Sequence, residues 1–558
     1  MDKEESLRFP NLLATTLLLL ALLLPGSQSL VAADPLLPPG LCFAETEKCV
    51  RGLFYAYWTE NGGLSQNGLP ISDEFNELNS GDNKPYRVQY FERVRFEYHP
   101  EKVNTPFVVQ SGLIGREQFL LRYPKDHLAT TFNGETCFDT TNRCISGPFN
   151  TYWQQKGGLA LFGYPVSDEF EEVSQSEGKI YKVQYFERVR FEYHAESVGT
   201  AEEVQLGLLG REYFNAKYPK GPPDDAGLSV ASLNVYAAAT TTEISPALAD
   251  IPARVYVPNE LGGAIDVIDP LKLQVVDRYF VGSIPHHVTP SWDMSRLLVN
   301  NMGSSSLTQI EPRSGKPIGN IPIRSPYNLY YTLDGSKAII AAEPLNRLDF
   351  YDAKTWAYLK GVNIPSPGID HMDMSANGNY LIASTEFGGV VVKVDTVKME
   401  LMATLNVGGL PVDVRSAPDG AVFYVANQGR HGVSIIDPVA MKEIGFLPTG
   451  TGAHGLVVSR DAKALYVANR LAGTISVIDF ESRSVKATWT IGGSPDMLQV
   501  SPDGSQLWAS GRLNAAVYVV DTNNGKLIKN IPVGPGPHGL SYFPQPGRIS
   551  VGHNGVYR

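Results

Sequence analysis

The sequence predicts a mainly β protein: a seven-bladed β-propeller preceded by two small α+β or β-rich modules, each with its own disulfide. Three observations carry this. An acidic residue closing an apolar strand recurs at Asp269, Glu311, Asp352, Asp395, Asp437, Asp479 and Asp521, in steps of 41 to 43 residues. Residues 42–124 and 137–219 align without a gap at an offset of 95, with 45 of 83 positions identical. The 53 Gly and 39 Pro favour many short strands joined by turns over long helices.

The chain opens with an apolar run, residues 12–24, preceded by Lys3 and Arg8 and followed by Val31-Ala32-Ala33. This run is shorter than the roughly 20 residues that span a bilayer as a helix, and small residues follow it, so residues 1–33 read as a signal peptide. The rival reading is an uncleaved anchor. No later stretch is long and apolar enough to span a membrane as a helix. The expected location is secreted or cell surface, with no transmembrane helix in the mature chain.

The four cysteines suit an oxidising compartment. Cys42 and Cys49 bracket six residues, as do Cys137 and Cys144. Two local pairs predict disulfides Cys42–Cys49 and Cys137–Cys144. Zinc is the alternative, although paired zinc cysteines usually stand two to four residues apart. The formal net charge is −11 and no dense Lys/Arg run occurs, so no nucleic-acid partner is expected.

The longest block shared by the two repeats is YFERVRFEYH, at 90–99 and 185–194. Its alternation of apolar and charged residues predicts a strand with one face buried. Tyr57-Trp58 recurs as Tyr152-Trp153, and Gly115-Arg116-Glu117 as Gly210-Arg211-Glu212. The tryptophans are either core residues or exposed platforms for sugar rings. The G-x-P-x-S-D-E-F turn at 68–75 and 163–170, the later YFE and the L-x-G-R-E close resemble the LGFP-type repeats of bacterial cell-surface proteins. That resemblance implies attachment to the cell wall or its glycans.

Residues 220–252, with Gly-Pro-Pro, Asp-Asp and an Ala-Thr tract, read as a linker. The 42-residue period then runs over 253–546, with four strands per unit and Asp-Gly turns between apolar runs. The chain enters the ring in a second strand near Val255, so the missing innermost strand must come from about 538–543. Residues 547–558 are left as a C-terminal tail without a place in the repeat. YVAN at 424–427 and 466–469, SVID and SPDG resemble the YVTN-type bacterial seven-bladed propeller repeat. Such propellers include surface-layer proteins, binding proteins and enzymes, so the fold does not choose a function.

Aligning the repeats puts His286, Tyr327, Asp370, Val412, His454, Asp496 and His538 at the channel mouth, with His287 and His371 one residue later. Imidazole and carboxylate suit Zn²⁺, Cu²⁺ or Fe²⁺, so His286, His454, His538 and Asp496 form a candidate site for a divalent transition metal. The alternatives are a polar-ligand site and histidines that only bond loop carbonyls. Glu343 and Glu386 on one side and Arg470 and Arg512 on the other predict a rim of two signs, able to orient a ligand or simply solvated. No GK[ST] loop, HExxH or G-x-S-x-G elbow is present.

Two main functions remain. One is an exported, surface-associated binding or scaffold protein, whose modules hold it to the envelope while the propeller binds a glycan or protein ligand. The other is a metal-dependent oxidoreductase or lyase. A third reading, a structural surface-layer component, predicts sheet assembly and no ligand.

Overall fold

The computed structural model describes residues 38–79, 81–124, 133–175, 178–222 and 232–558. The segment read as a signal peptide lies outside these. Among the described residues, no helix is long and apolar enough to cross a membrane.

Seven four-stranded antiparallel sheets form the propeller. Innermost strands of blades two to seven are Pro285–Pro290, Asn328–Tyr331, Ile369–Met374, Pro411–Ser416, Ala453–Val458 and Pro495–Val500. Blade one contains Arg254–Asn259, Ala264–Asp269 and Gln274–Phe280, and its innermost strand is Ser541–Phe543. Arg254, Val255 and Tyr256 pair with Phe543, Tyr542 and Ser541, so the ring closes between its two ends as the entry point in a second strand requires. Adjacent blades bury their apolar faces against each other. Val255, Val257 and Ile268 of blade one meet Trp508, Val517 and Val519 of blade seven across the closure.

The C-terminal tail, which has no counterpart in the repeat, adds two strands to blade three. Ser550–Gly552 pairs with the inner strand Asn328–Tyr331, and Val556–Tyr557 pairs with Ser550–Gly552. The tail thus lies inside the ring, beyond the innermost strand. The linker expectation needs correction over its described part. Tyr236 is buried, and its hydroxyl donates to the Ser416 carbonyl. The Val235 amide bonds the Pro418 carbonyl, and Ala239 and Leu248 are also buried. Residues 232–252 are a strap on the propeller, held by these apolar side chains.

Each module has a disulfide-closed hairpin, two short helices, a four-stranded antiparallel sheet and a final helix. Cys42 pairs with Cys49 and Cys137 with Cys144, each across a hairpin. The final helices are exchanged. Ile114–Arg122 of the first module sits on the second module's sheet: the Arg116 amide bonds the Glu187 carbonyl, and Arg122 pairs with Glu172 and Glu212. Leu209–Lys217 of the second returns the contact, through the Arg211 amide on the Glu92 carbonyl and Lys217 on Glu77.

The YFERVRFEYH block is not the single strand expected: it is the end of Pro85–Tyr90, a turn and the antiparallel strand Arg95–Tyr98, which the exchange buries on both faces where alternation predicts one. Arg95 is 1 % exposed beside Glu77, Glu97 and Glu117, and Arg190 repeats the arrangement beside Glu172, Glu192 and Glu212. Trp58 is core, with its Nε1 donating to the Gly68 carbonyl, and Trp153 bonds the Gly163 carbonyl in the same way. Neither is an exposed platform for a sugar ring.

Candidate metal centre

The site begins with a backbone irregularity. The inner strands of blades two, four, five, six and seven each start with a register shift, between Pro285/Val288, Ile369/Met372, Pro411/Val414, Ala453/Leu456 and Pro495/Leu498. A bulge sets two residues against one on the neighbouring strand and re-aims their side chains. The skipped pairs include His286-His287, Asp370-His371, His454-Gly455 and Asp496-Met497. Simple alternation would send one member of each pair away from the centre; the bulge lets both reach it.

Six of the chain's ten histidines meet here. Ring centroids stand 4.6 Å apart for His286 and His538, 4.9 Å for His287 and His538, and 5.2 Å for His287 and His371. His553, brought in by the tail, lies 4.9 Å from His287 and 4.8 Å from His371. His454 is further out, 5.8 Å from His538. All six are at most 4 % exposed. Burial pushes all six below the ordinary imidazole range, His371 to about 4. They are therefore neutral at pH 7, the form in which imidazole binds a metal.

Three of these rings share a pattern. His287 Nδ1 donates to Asn554 Oδ1 at 2.9 Å, and His538 Nδ1 lies 2.8 Å from Asp496 Oδ2. His286 Nε2 lies 3.4 Å from Glu260 Oε1. In each ring the opposite nitrogen is buried without a hydrogen-bond partner: His287 Nε2, His538 Nε2 and His286 Nδ1. An acceptor on one imidazole nitrogen with the other left free is how proteins present histidine to a metal. Ring nitrogens of these three come within 4.8 Å of one another. A tetrahedral ion bound at about 2.0–2.1 Å needs them about 3.4 Å apart, so the rings must draw together on binding. The donor set fits zinc, copper, iron or nickel.

The expected ligand set of His286, His454, His538 and Asp496 is not the one assembled. Among the described residues, ring nitrogens converge as His286, His287 and His538, and as His287, His371 and His553. His454 Nε2 is covered by the Arg470 guanidinium, and its Nδ1 lies 3.1 Å from Asp496 Oδ1. Asp496 is also occupied: Arg470 Nε donates to it at 2.7 Å. Burial works to raise its carboxyl, but Arg470, His454 and Arg512 outweigh burial and hold it below the ordinary range. An ionised Asp496 favours the proton on His538 Nδ1 and so orients that ring. His553 was missed because the tail lies outside the repeat; the HNG turn at 553–555, closing two short apolar runs, was the available signal.

The two-signed rim is drawn inward. Arg512 pairs with Glu260 and presses on His538, and Arg470 Nη1 donates to Gln428 Oε1 at 3.0 Å. Neither arginine is free for a ligand. On the opposite side no cation pairs with Glu343, Glu386 or Asp370 among the described residues. Burial, reinforced by their mutual repulsion, raises Glu343 and Glu386 to about 7. Burial raises Asp370 to about 7 as well, against the Tyr327 hydroxyl and His286.

The solved structures similar to this chain include Kuenenia stuttgartiensis hydrazine synthase, at 17 % identity over 46 % of this chain and 88 % of that one, with a TM-score of 0.41. A functionally unknown protein from Desulfotomaculum acetoxidans aligns at 18 % identity over 52 % of this chain and 98 % of that one, with a TM-score of 0.46. No curated protein matches the chain. Residues 226–546, more than half of the sequence and including part of the strap, match the YNCE-like β-propeller family as a continuous unit, and the chain belongs to that family.

Proposed function

We propose that this is an exported metal-binding propeller protein whose channel holds one transition-metal ion on His286, His287 and His538. One observation carries the reading: three buried neutral imidazoles, each with an acceptor near one nitrogen and no partner on the other, gather with ring nitrogens within 4.8 Å of one another. Glu260, Asn554 and Asp496 set the orientation of these rings. A bound ion would supply Lewis-acid chemistry at a fourth coordination position, which three protein ligands leave for water or a small ligand. The ring of blades excludes bulk water from the histidines, so their nitrogens need not shed protons to bind.

The two disulfides support the exported part of the reading, since such bonds persist in oxidising compartments. The LGFP-like motifs support attachment of the modules to envelope glycan.

Elemental analysis of the metal-free chain reconstituted with Zn²⁺ tests the site. One ion per chain is expected, falling to near zero in a His286→Ala, His287→Ala, His538→Ala triple variant. Less than about 0.2 ion per chain in the wild type overturns it. Recovery of the native protein in cytosol with Met1 intact overturns export.

A further inference from the structure

We propose a second, deeper metal subsite on His287, His371 and His553, with His287 as the common ligand through which one ion passes between it and the mouth triad. The proposal rests on the metal-binding reading above.

Its geometry is independent of His286 and His538. The rings of His287, His371 and His553 stand 4.8 to 5.2 Å apart by centroid, and their ring nitrogens come within 4.8 Å of one another. His371 is completely buried with no hydrogen-bond partner on either ring nitrogen, although Nδ1 lies 2.6 Å from Asp370 Oδ1. His553 is set by its backbone, whose amide bonds the Leu329 carbonyl. Its ring lies between the Asn328 and Asn554 amide nitrogens, at 2.9 and 3.2 Å. A neutral imidazole has one acceptor nitrogen, so a metal on His553 takes the lone pair from whichever amide it serves, and that amide must turn away on binding. Asp413 Oδ2, 3.9 Å from His553 Nε2, brings negative charge to this level. A cavity of about 50 Å³ beside His553, bordered by Tyr236, Arg415 and Gln499, has room for water as a remaining ligand.

The shared histidine decides how the two triads relate. Asn554 holds His287 Nδ1, so this ring has one nitrogen, Nε2, to offer. That nitrogen binds one ion at a time. The triads therefore alternate rather than fill together. An ion moving inward keeps His287 and exchanges His286 and His538 for His371 and His553. All five ligands are imidazoles, so the donor type does not change along the path.

The test uses the full metal-free chain and Co²⁺, whose visible absorption reports the ligand geometry. The wild type is expected to bind one Co²⁺. His553→Ala and His371→Ala are expected to keep one Co²⁺ with an altered spectrum and to lose it to excess EDTA about tenfold faster. His553→Asn, which retains polarity, should match His553→Ala and excludes misfolding as the cause. His286→Ala is expected to load about tenfold more slowly while releasing at the wild-type rate. Wild-type spectra and release rates in both inner variants would overturn this inference and leave the mouth triad standing. Two ions per chain would overturn the alternation. No binding at all would overturn both readings.

Discussion

Arg558 Nη2 lies 2.7 Å from Asp373 Oδ1, with both side chains sealed from solvent. The same guanidinium lies over the Tyr236 ring and donates to Asn104 Oδ1. One side chain thus joins the tail, an inner strand of blade four, the strap and the first module. Arg558→Ala leaves Asp373 buried without its cation, which costs about 3–5 kcal/mol in comparable pairs. Guanidinium unfolding of that variant, set against the Arg558→Met, Asp373→Asn double variant, is expected to show the single change as the more damaging.

Asp496 touches two histidines and two arginines but is not placed to ligate. Asp496→Asn should lower stability, since Arg470 and Arg512 lose their buried counter-charge, and lower the Zn²⁺ affinity of the folded protein by about 10–100-fold, because Asn no longer fixes the tautomer of His538. Chelator competition measures this. A complete loss of the ion would instead make Asp496 a direct ligand.

Acid should unfold the metal-free protein in a definite window. The histidines have folded values below 6.5, His371 at about 4. The unfolded chain takes up protons first, so their contribution is complete above about pH 6.5 and is lost as the pH falls toward 4. Thermal melts at pH 7.5, 6 and 5 should show a falling Tm, with a smaller fall in His371→Asn.

Glu386 behaves oppositely. Burial and Asp370 raise it to about 7, so ionising it on the way to pH 8 weakens the folded state. Glu386→Gln should stabilise the protein at pH 8 by about 1 kcal/mol, after allowing for partial solvent screening, and by much less at pH 5. Equal effects at the two pH values would contradict this.

The exchange of helices between modules leaves no room at Gly115 or Gly210. A Cβ on Gly115 would strike the Phe186 carbonyl, and one on Gly210 the Phe91 carbonyl. Either change to Ala should cost about 1–3 kcal/mol through displaced backbone. Calorimetry on Gly115→Ala checks it, with Gly319→Ala as control, where the added Cβ would meet only Gln309 Nε2 at 3.7 Å.

The blade count was legible because the acidic residues from Asp269 to Asp521 occupy one place in each repeat and the repeat length varies only from 41 to 43 residues. The gathering of histidines was legible for the same reason. What the repeat did not encode stayed hidden. His553 has no equivalent in other blades, and the bulges that turn both His286 and His287 inward leave no mark in the hydrophobic pattern. The roles of Asp496 and Arg470 depend on contacts across blades that spacing does not specify. Helix exchange was hidden by the very similarity of the modules: Gly115 and Gly210 fit either sheet, so identity alone cannot say which one each covers.

The pairing of Ser541–Phe543 with Arg254–Tyr256 has a consequence for biosynthesis. While a ribosome is still making the seventh blade, the first has an unpaired inner edge and an exposed flank. Only when the residues after 540 emerge does the circle seal, and the histidine-bearing hairpin arrives later still. The disulfide-bonded modules are synthesised long before, so the chain matures from its front, and the cluster of six buried histidines is the last part to be completed.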